Sequence, residues 1–501
     1  MKYNLKTLVI YILLCISIGV LVFASSCSDK QPDDSTTASA QDTSVDGESA
    51  TTGATADSDT KADNDAANST AAGGTTADSA AADDDAAGGV AGTTATSAPT
   101  VASSQNEPVR IAFWHIWGGG DANADAVFKV LSDFQADHSD IIIDIQTFEN
   151  DAYKTSLRTN VFGDTVADVY SVWGGGFSKP FVDSGKVLNL NDYLNDGTLD
   201  KLNPGALDFF TYDGGVYGLP FGKAASGFFC NVRLFDENNI KIPETWDELL
   251  EAADVFNAAG ITPIITSSKD TWVVGMLFEG LALKAVGAER TVDALLKQNG
   301  GTFSDPQFLN AANKFMELID KNVFNNDMAA VTRDEALASM LGGKGAMYYM
   351  GAWEASQFES DASIDRGRYD WAPFPTMPDG AGKPTEFNGG MIDGVMVNAK
   401  TKYPAQAAEF AKYFTENMAR EGFARGNYMP AWNNTAIDES TLPPVFAKIN
   451  QQTNTATNYV IWWDTGLVGD DVMIYQTALD YMVNGIIEPE QFIEELRRIN
   501  P

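Results

Sequence analysis

The stretch RIAFWHIWGGGDANADAVFKVLSDFQADHSDIIIDI (Arg110–Ile145) decides the fold. Arg110-Ile111-Ala112-Phe113-Trp114 reads as a buried strand. Val127, Val130, Leu131 and Phe134 then recur at helical spacing, and Ile141 to Ile145 is a second strand. Beyond it a polar helix is expected around Tyr153 to Val161, then a strand over Asp168 to Val172. Strand, helix, strand, helix, strand at this spacing predicts right-handed crossovers and a parallel sheet. A second series starts after Gly218. There Thr245-Trp246-Asp247-Glu248 has the spacing of a capping box that opens a helix over Trp246 to Ala259. Gly260 ends it, and Ile261 to Thr266 is a further strand. Pro404-Ala405-Gln406 opens a helix through Phe414, and a final pair covers Val472 to Asn484 and Pro489 to Ile499. The pattern predicts an α/β protein of two lobes, with no tandem repeat of solenoid period.

Upstream of this body the chain changes character twice. Lys2 and Lys6, the apolar run Leu8 to Phe23 and the small residues Ala24-Ser25-Ser26 have the order of a secretory signal, residues 1–26. The junction at Cys27 resembles a bacterial lipoprotein signal, in which that cysteine is lipidated. Ala24 and Ser26 also suit ordinary signal peptidase, which would cut the same bond. Residues 28–108 contain no Ile, Leu, Met, Phe, Trp or Tyr. A segment with so little to bury cannot offset its chain entropy, so 27–108 is expected to be a disordered acidic linker, tethered at Cys27. One acyl chain holds a membrane weakly, so a stable anchor on Cys27 needs more than one.

Charge and composition exclude several classes of function. Net charge is −36, of which roughly −25 falls on the body from Val109 to Pro501. Such a surface repels phosphate backbones, which excludes nucleic acid as a partner. The cysteines are Cys15, Cys27 and Cys230, so neither an intrachain disulfide nor a cysteine metal cluster fits the mature chain. Cys230 reads as a small buried hydrophobe. Two histidines, His115 and His138, argue against a Ser-His-Asp hydrolase and a His-rich zinc site. His138 is expected to face solvent. No metal, cofactor or catalytic residue is expected.

Two turns echo each other, Trp117-Gly118-Gly119-Gly120-Asp121 and Trp173-Gly174-Gly175-Gly176-Phe177. Each follows the carboxyl end of an expected parallel strand, the edge at which open α/β sheets bind ligands. Three glycines let backbone turn sharply and approach a bound molecule. Neither turn carries the Lys-Ser/Thr of a phosphate loop. A flat indole face suits a sugar ring, whose C–H groups are apolar while its hydroxyls need partners. Further candidates of this kind are Asp270-Thr271-Trp272, Gly351-Ala352-Trp353-Glu354, Asn388-Gly389-Gly390 (before a strand over Gly394 to Asn398), Met429-Pro430-Ala431-Trp432 and Trp462-Trp463-Asp464. Trp246 and Trp371 read as packing residues.

These segments, with Tyr217-Gly218-Leu219-Pro220-Phe221, Ile242-Pro243-Glu244-Thr245-Trp246 and Gly343-Lys344-Gly345-Ala346-Met347, resemble the extracellular solute-binding proteins of ABC importers. The likeness is to the carbohydrate-binding family that includes maltose-binding protein, and it spans nearly all of 109–501. The resemblance implies a type II periplasmic-binding-protein fold whose lobes, joined by hinge strands, close over a solute. Lobe one would be 109–219 with 388–454, and lobe two 220–387 with 455–501. Cleft positions carried over are Trp117, Trp173, Phe221, Trp272, Trp353, Asn388, Gly389 and Asp464, with His115, Asp393 and Trp432 added. Trp353 would stack on a sugar ring, Asp464 and Asn388 would accept from hydroxyls, and the Gly389 amide would donate. Implied partners are a small-molecule carbohydrate, ABC permease subunits and, through Cys27, the outer face of the cytoplasmic membrane. A monomer is the expected state.

Two other functions fit the same residues. A surface-tethered glycoside hydrolase would use Glu354, Asp393 and Asp464 as acid and base, although the strand–helix units are too few for an eight-fold barrel. The same binding fold could instead hold a cationic polyamine between aromatic faces.

Overall fold

Strand β1 (Val109–His115) buries Ile111, Phe113 and His115 in strict alternation, as a period-two element laid over helices must. The computed structural model to which it belongs describes residues 107–433 and 436–501. The expected signal, Cys27 and nearly all of the acidic linker lie outside the described residues. β1 pairs in parallel with β2 (Ile141–Thr147) on one side and β3 (Val169–Trp173) on the other. The helices Ala124–Asp137 and Asn150–Phe162 form the two crossovers. This is the architecture that the opening stretch predicts.

Beyond these three strands the sheet is mixed. β4 (Thr211–Tyr212) and β5 (Gly215–Val216) make a separate small hairpin. β6 (Gly218–Asn231) then runs 14 residues, about 45 Å at ~3.3 Å per residue. β7 (Thr262–Ile265), β8 (Gly345–Gly351), β9 (Tyr369–Ala372), β10 (Glu386–Val397), β11 (Met429–Pro430) and β12 (Asn458–Val460) complete it. The main order is β2-β1-β3-β10-β6-β8-β7. β10 lies antiparallel to both β3 and β6. β6 changes partners along its length. Gly218 to Ala225 pair with β10, whereas Ser226 to Asn231 pair with β8 and β9.

Three expectations are corrected. The helix opened by Pro404 continues to Arg425, because Met418, Ala419, Gly422 and Phe423 prolong its buried face, and Gly426 then stops it at φ 81°. Asn388-Gly389-Gly390 lies inside β10 rather than before it. His138 is partly buried, its ring stacked on Phe134 with centroids 4.1 Å apart. Other expectations hold. The capping box at Thr245 and Glu248 forms and opens the helix Trp246–Ala258. Trp246 and Trp371 are fully buried, as is Cys230, whose thiol burial pushes well above its usual range. The helix Thr271–Val286 is a core helix enclosed on every side. Among the described residues no single helix is long and apolar enough to cross a membrane.

Candidate functional site

The carboxyl ends of β1, β2 and β3 open onto a cleft of about 480 Å³, also lined by residues between Asp270 and Met276, between Thr332 and Asp334, by Trp353 and by Trp462, Asp464 and Thr465. The first glycine turn forms part of its floor. A methyl group on Gly119 or Gly120 would meet nothing within 4 Å, so this backbone is bare to the cleft. The second turn has the same sequence and another job. A methyl on Gly176 would stand 2.2 Å from the Gly466 carbonyl oxygen, so that turn is seated against the segment Trp463–Gly466. Its leading residue Trp173 still reaches the cleft.

Helix starts surround the cavity. Asn123 precedes the helix Ala124–Asp137, and Glu149 caps the helix Asn150–Phe162 by accepting from Asp151 N and Ala152 N. Asp270 precedes the core helix, and Thr332 closes a capping box on the helix Arg333–Leu341. All four of these helix-start residues line the cleft. The positive ends of these helices are one reason that carboxylates gather here.

Of the positions expected from the sequence, the structure brings Trp117, Trp173, Trp272, Trp353, Asp393 and Asp464 to the cleft wall. Five others lie behind it. His115 points into the core with Ile111 and Phe113, stacks on Trp117 and accepts from its amide, and burial lowers its pKa to about 4, leaving the ring neutral. Phe221 is fully buried edge-on to Trp117 and Tyr428. Trp432 is also fully buried, its indole N–H donating to the Pro220 carbonyl at 2.8 Å. Asn388 is buried with both amide atoms unpartnered. Gly389 is a backbone crossing, where a methyl would come within 2.1 Å of the Ala224 oxygen.

Sequence reasoning missed Phe148, Asp151, Lys154, Arg333 and Tyr428 as wall residues, whereas Trp462, a candidate through Trp462-Trp463-Asp464, is on the wall. Lys154 and Asp151 sit on the first turns of the helix after β2. The strand-edge rule used for the two glycine turns, applied to β2, would have found them. Trp462 stands edge-on to Trp353 at 5.4 Å and donates its indole N–H to Ser226 Oγ.

The electrostatics centre on Asp393. It sits between register shifts in β10, opposite Trp173 on β3, and such bulges re-aim side chains beside functional sites. Its Oδ2 is shielded and unpartnered. Burial, reinforced by Asp464 and opposed by Lys154, pushes its pKa up to about 7. Lys154 Nζ donates to Asp464 Oδ2 at 2.8 Å and stands 5.0 Å from the Trp173 ring centroid. Arg333 pairs with the buried Glu354 and with Asp334, and lies 3.9 Å from Asp121 across the cleft. Glu354 itself does not line the cavity.

The model of the bacterial extracellular solute-binding protein family matches residues 120–421. The chain belongs to that family. An uncharacterised ABC transporter extracellular-binding protein of Pyrococcus horikoshii is 27% identical to this solute-binding protein over 359 residues, 70% of this chain and 80% of its own. The multiple sugar-binding protein of Streptococcus mutans is 21% identical over 304 residues, covering 59% of this chain and 69% of its own. Among solved structures, one from work on xylan utilization by Caldanaerobius polysaccharolyticus superposes with a TM-score of 0.75 at 34% identity, over 78% of this chain and 100% of its own. A chitin oligosaccharide binding protein gives a TM-score of 0.71 at 24% identity, over 79% and 98%. The two-lobe solute-binding fold read from the sequence stands.

Proposed function

We propose that this solute-binding protein captures a carbohydrate in the cleft, without turnover, and presents it to the permease of an ABC importer. One observation carries the reading. Three indoles, those of the half-buried Trp173, Trp272 and Trp353, line a cavity of about 480 Å³ together with the acceptors Asp121, Asp393 and Asp464, while the Trp117 ring is buried between His115 and Phe414. Indole faces cover the apolar side of a sugar ring, and carboxylates accept from its hydroxyls. The volume falls within the ~300–1,000 Å³ usual for small-molecule sites. The relatives named for sugar and chitin-oligosaccharide binding support the class of ligand. Glu354, one of three carboxylates a hydrolase would use, is tied to Arg333 outside the cavity, which favours binding over cleavage.

In this reading residues 109–219 with 388–454 move as one lobe and 220–387 with 455–501 as the other, hinged on β6 and β10. A lipid on Cys27 holds the monomer at the outer face of the cytoplasmic membrane, and the acidic linker is its leash.

The test is thermal unfolding against a panel of mono- and oligosaccharides, with polyamines as the contrasting set and product analysis of the same wells. A ligand at 100 times its Kd adds about 2.7 kcal/mol of stability. A shift with one sugar class and no products is the expected result. A shift with polyamines alone would overturn the ligand, and cleaved sugar would overturn binding without turnover.

A further inference from the structure

The cleft wall carries seven carboxylates, Asp121, Glu149, Asp151, Asp270, Asp334, Asp393 and Asp464, against two cations. Both cations are already engaged. Lys154 is held by Asp464, with side-chain exposures of 17% and 13%. Arg333 is held by Glu354 and Asp334 with Asp121 nearby, and is 20% exposed. Among the described residues the buried wall atom without a partner is a carboxyl oxygen, Asp393 Oδ2. Three neighbouring elements bring groups to it: Lys154 from the helix Asn150–Phe162, Asp464 from the segment Trp463–Gly466, and Tyr428 just before β11.

We propose that the cleft sorts glycans by charge, taking uncharged chains and rejecting those that carry a carboxylate, with Asp393 and Asp464 as the discriminating pair. The inference rests on the carbohydrate reading and deepens it. A neutral sugar laid on Trp173 offers hydroxyl donors, and one of them completes Asp393 Oδ2, which otherwise stays buried and unsatisfied. Above the pH at which Asp393 ionises, about 7, a uronate in the same place meets two carboxylates. Its available counter-ion is Lys154, and recruiting that ammonium strips Asp464 of its partner inside the protein. An unpaired carboxylate there is costly whichever residue bears it. Arg333 gives no relief, because withdrawing it leaves Glu354 buried and unpaired.

The experiment is calorimetric titration of the whole chain at physiological salt and about pH 8.5, where Asp393 is ionised. Probes are xylo-, cello- and malto-oligosaccharides, each paired with a counterpart of the same backbone bearing one hexuronic acid residue. In any pair that binds, the neutral member is expected to bind at least about tenfold more tightly, equivalent to ~1.4 kcal/mol. Asp464→Asn frees Lys154 and narrows that gap by strengthening the uronate, and Asp393→Asn narrows it by removing one repulsion. A gain in uronate affinity cannot arise from mere loss of structure, so damaged variants do not mimic it. Equal affinities within a pair, or preference for the acidic member, would overturn the charge filter and leave the carbohydrate reading intact. Failure of every sugar, neutral and acidic, would overturn both.

Discussion

Trp353 and Asp393 show what single residues contribute here. Trp353 is half-buried and braced edge-on by Trp462, so its ring is pre-oriented and loses little freedom when a sugar covers it. Trp353→Ala is expected to weaken oligosaccharide binding about tenfold, ~1.4 kcal/mol, as read by titration calorimetry. Asp393 carries a pH signature. Its folded pKa, near 7, lies above the ~4 of an unfolded aspartate, so the folded protein binds the extra proton between those values. Its contribution to stability is therefore full below pH ~4 and falls as pH rises towards 7. Asp393→Asn should gain stability relative to the parent across that window, most at its upper end. Urea unfolding at pH 4, 5.5 and 7 measures it, and a difference that does not change with pH would refute the assignment. Tryptophans at strand ends were legible because a bulky apolar residue beside three glycines has few other uses. Lys154 and Arg333 were not, because a cation on a helix reads the same whether it faces solvent or a cleft. His115 was misplaced although β1 holds its phase in plain view, with Ile111, Phe113 and His115 on one side.

The two glycine turns set the lesson for elements. Identical tetrapeptides, Trp-Gly-Gly-Gly, end β1 and β3, yet one lies bare to the cleft and the other is wedged against backbone. Gly176→Ala would force a methyl towards the Gly466 and Leu467 oxygens, at 2.2 and 2.5 Å, which flexible side-chain movement cannot relieve. It should cost at least the ~1–3 kcal/mol typical of overpacking, measured by denaturant unfolding. Gly119→Ala meets open space and should leave stability within about 0.5 kcal/mol of the parent, as surface changes usually do. Sequence alone cannot separate the two, because what crowds Gly176 is a segment nearly 300 residues further along the chain. The same remoteness hid β10. Its strand character is plain from Gly394 onward, but Glu386 to Asn388 become strand by pairing with β12, which comes 70 residues later.

For the molecule as a whole, two ion pairs matter beyond their own energies. Lys154–Asp464 and Arg333–Asp121 each join side chains that the proposed lobe boundaries would place on opposite sides of the cleft. The second is long, at 3.9 Å, and tightens if the lobes draw together. Asp121→Asn should therefore weaken ligand binding mainly through a faster off-rate, with unfolding midpoint little changed, as stopped-flow displacement would reveal. A variant that slows association alone would contradict this. Lobe count and crossover order were legible because helix and strand periods are local. The mixed sheet was not, because strand direction in β6 and β10 depends on the chain's return path.

Three of the ten tryptophans, Trp173, Trp272 and Trp353, line the cleft while still part-exposed. Indole emission moves to shorter wavelength as water leaves the ring, so a solute that covers these faces changes the colour of the protein's own light. The molecule thus carries a built-in optical gauge of occupancy. The fully buried Trp246, Trp371, Trp432 and Trp463 supply a constant background against which it is read.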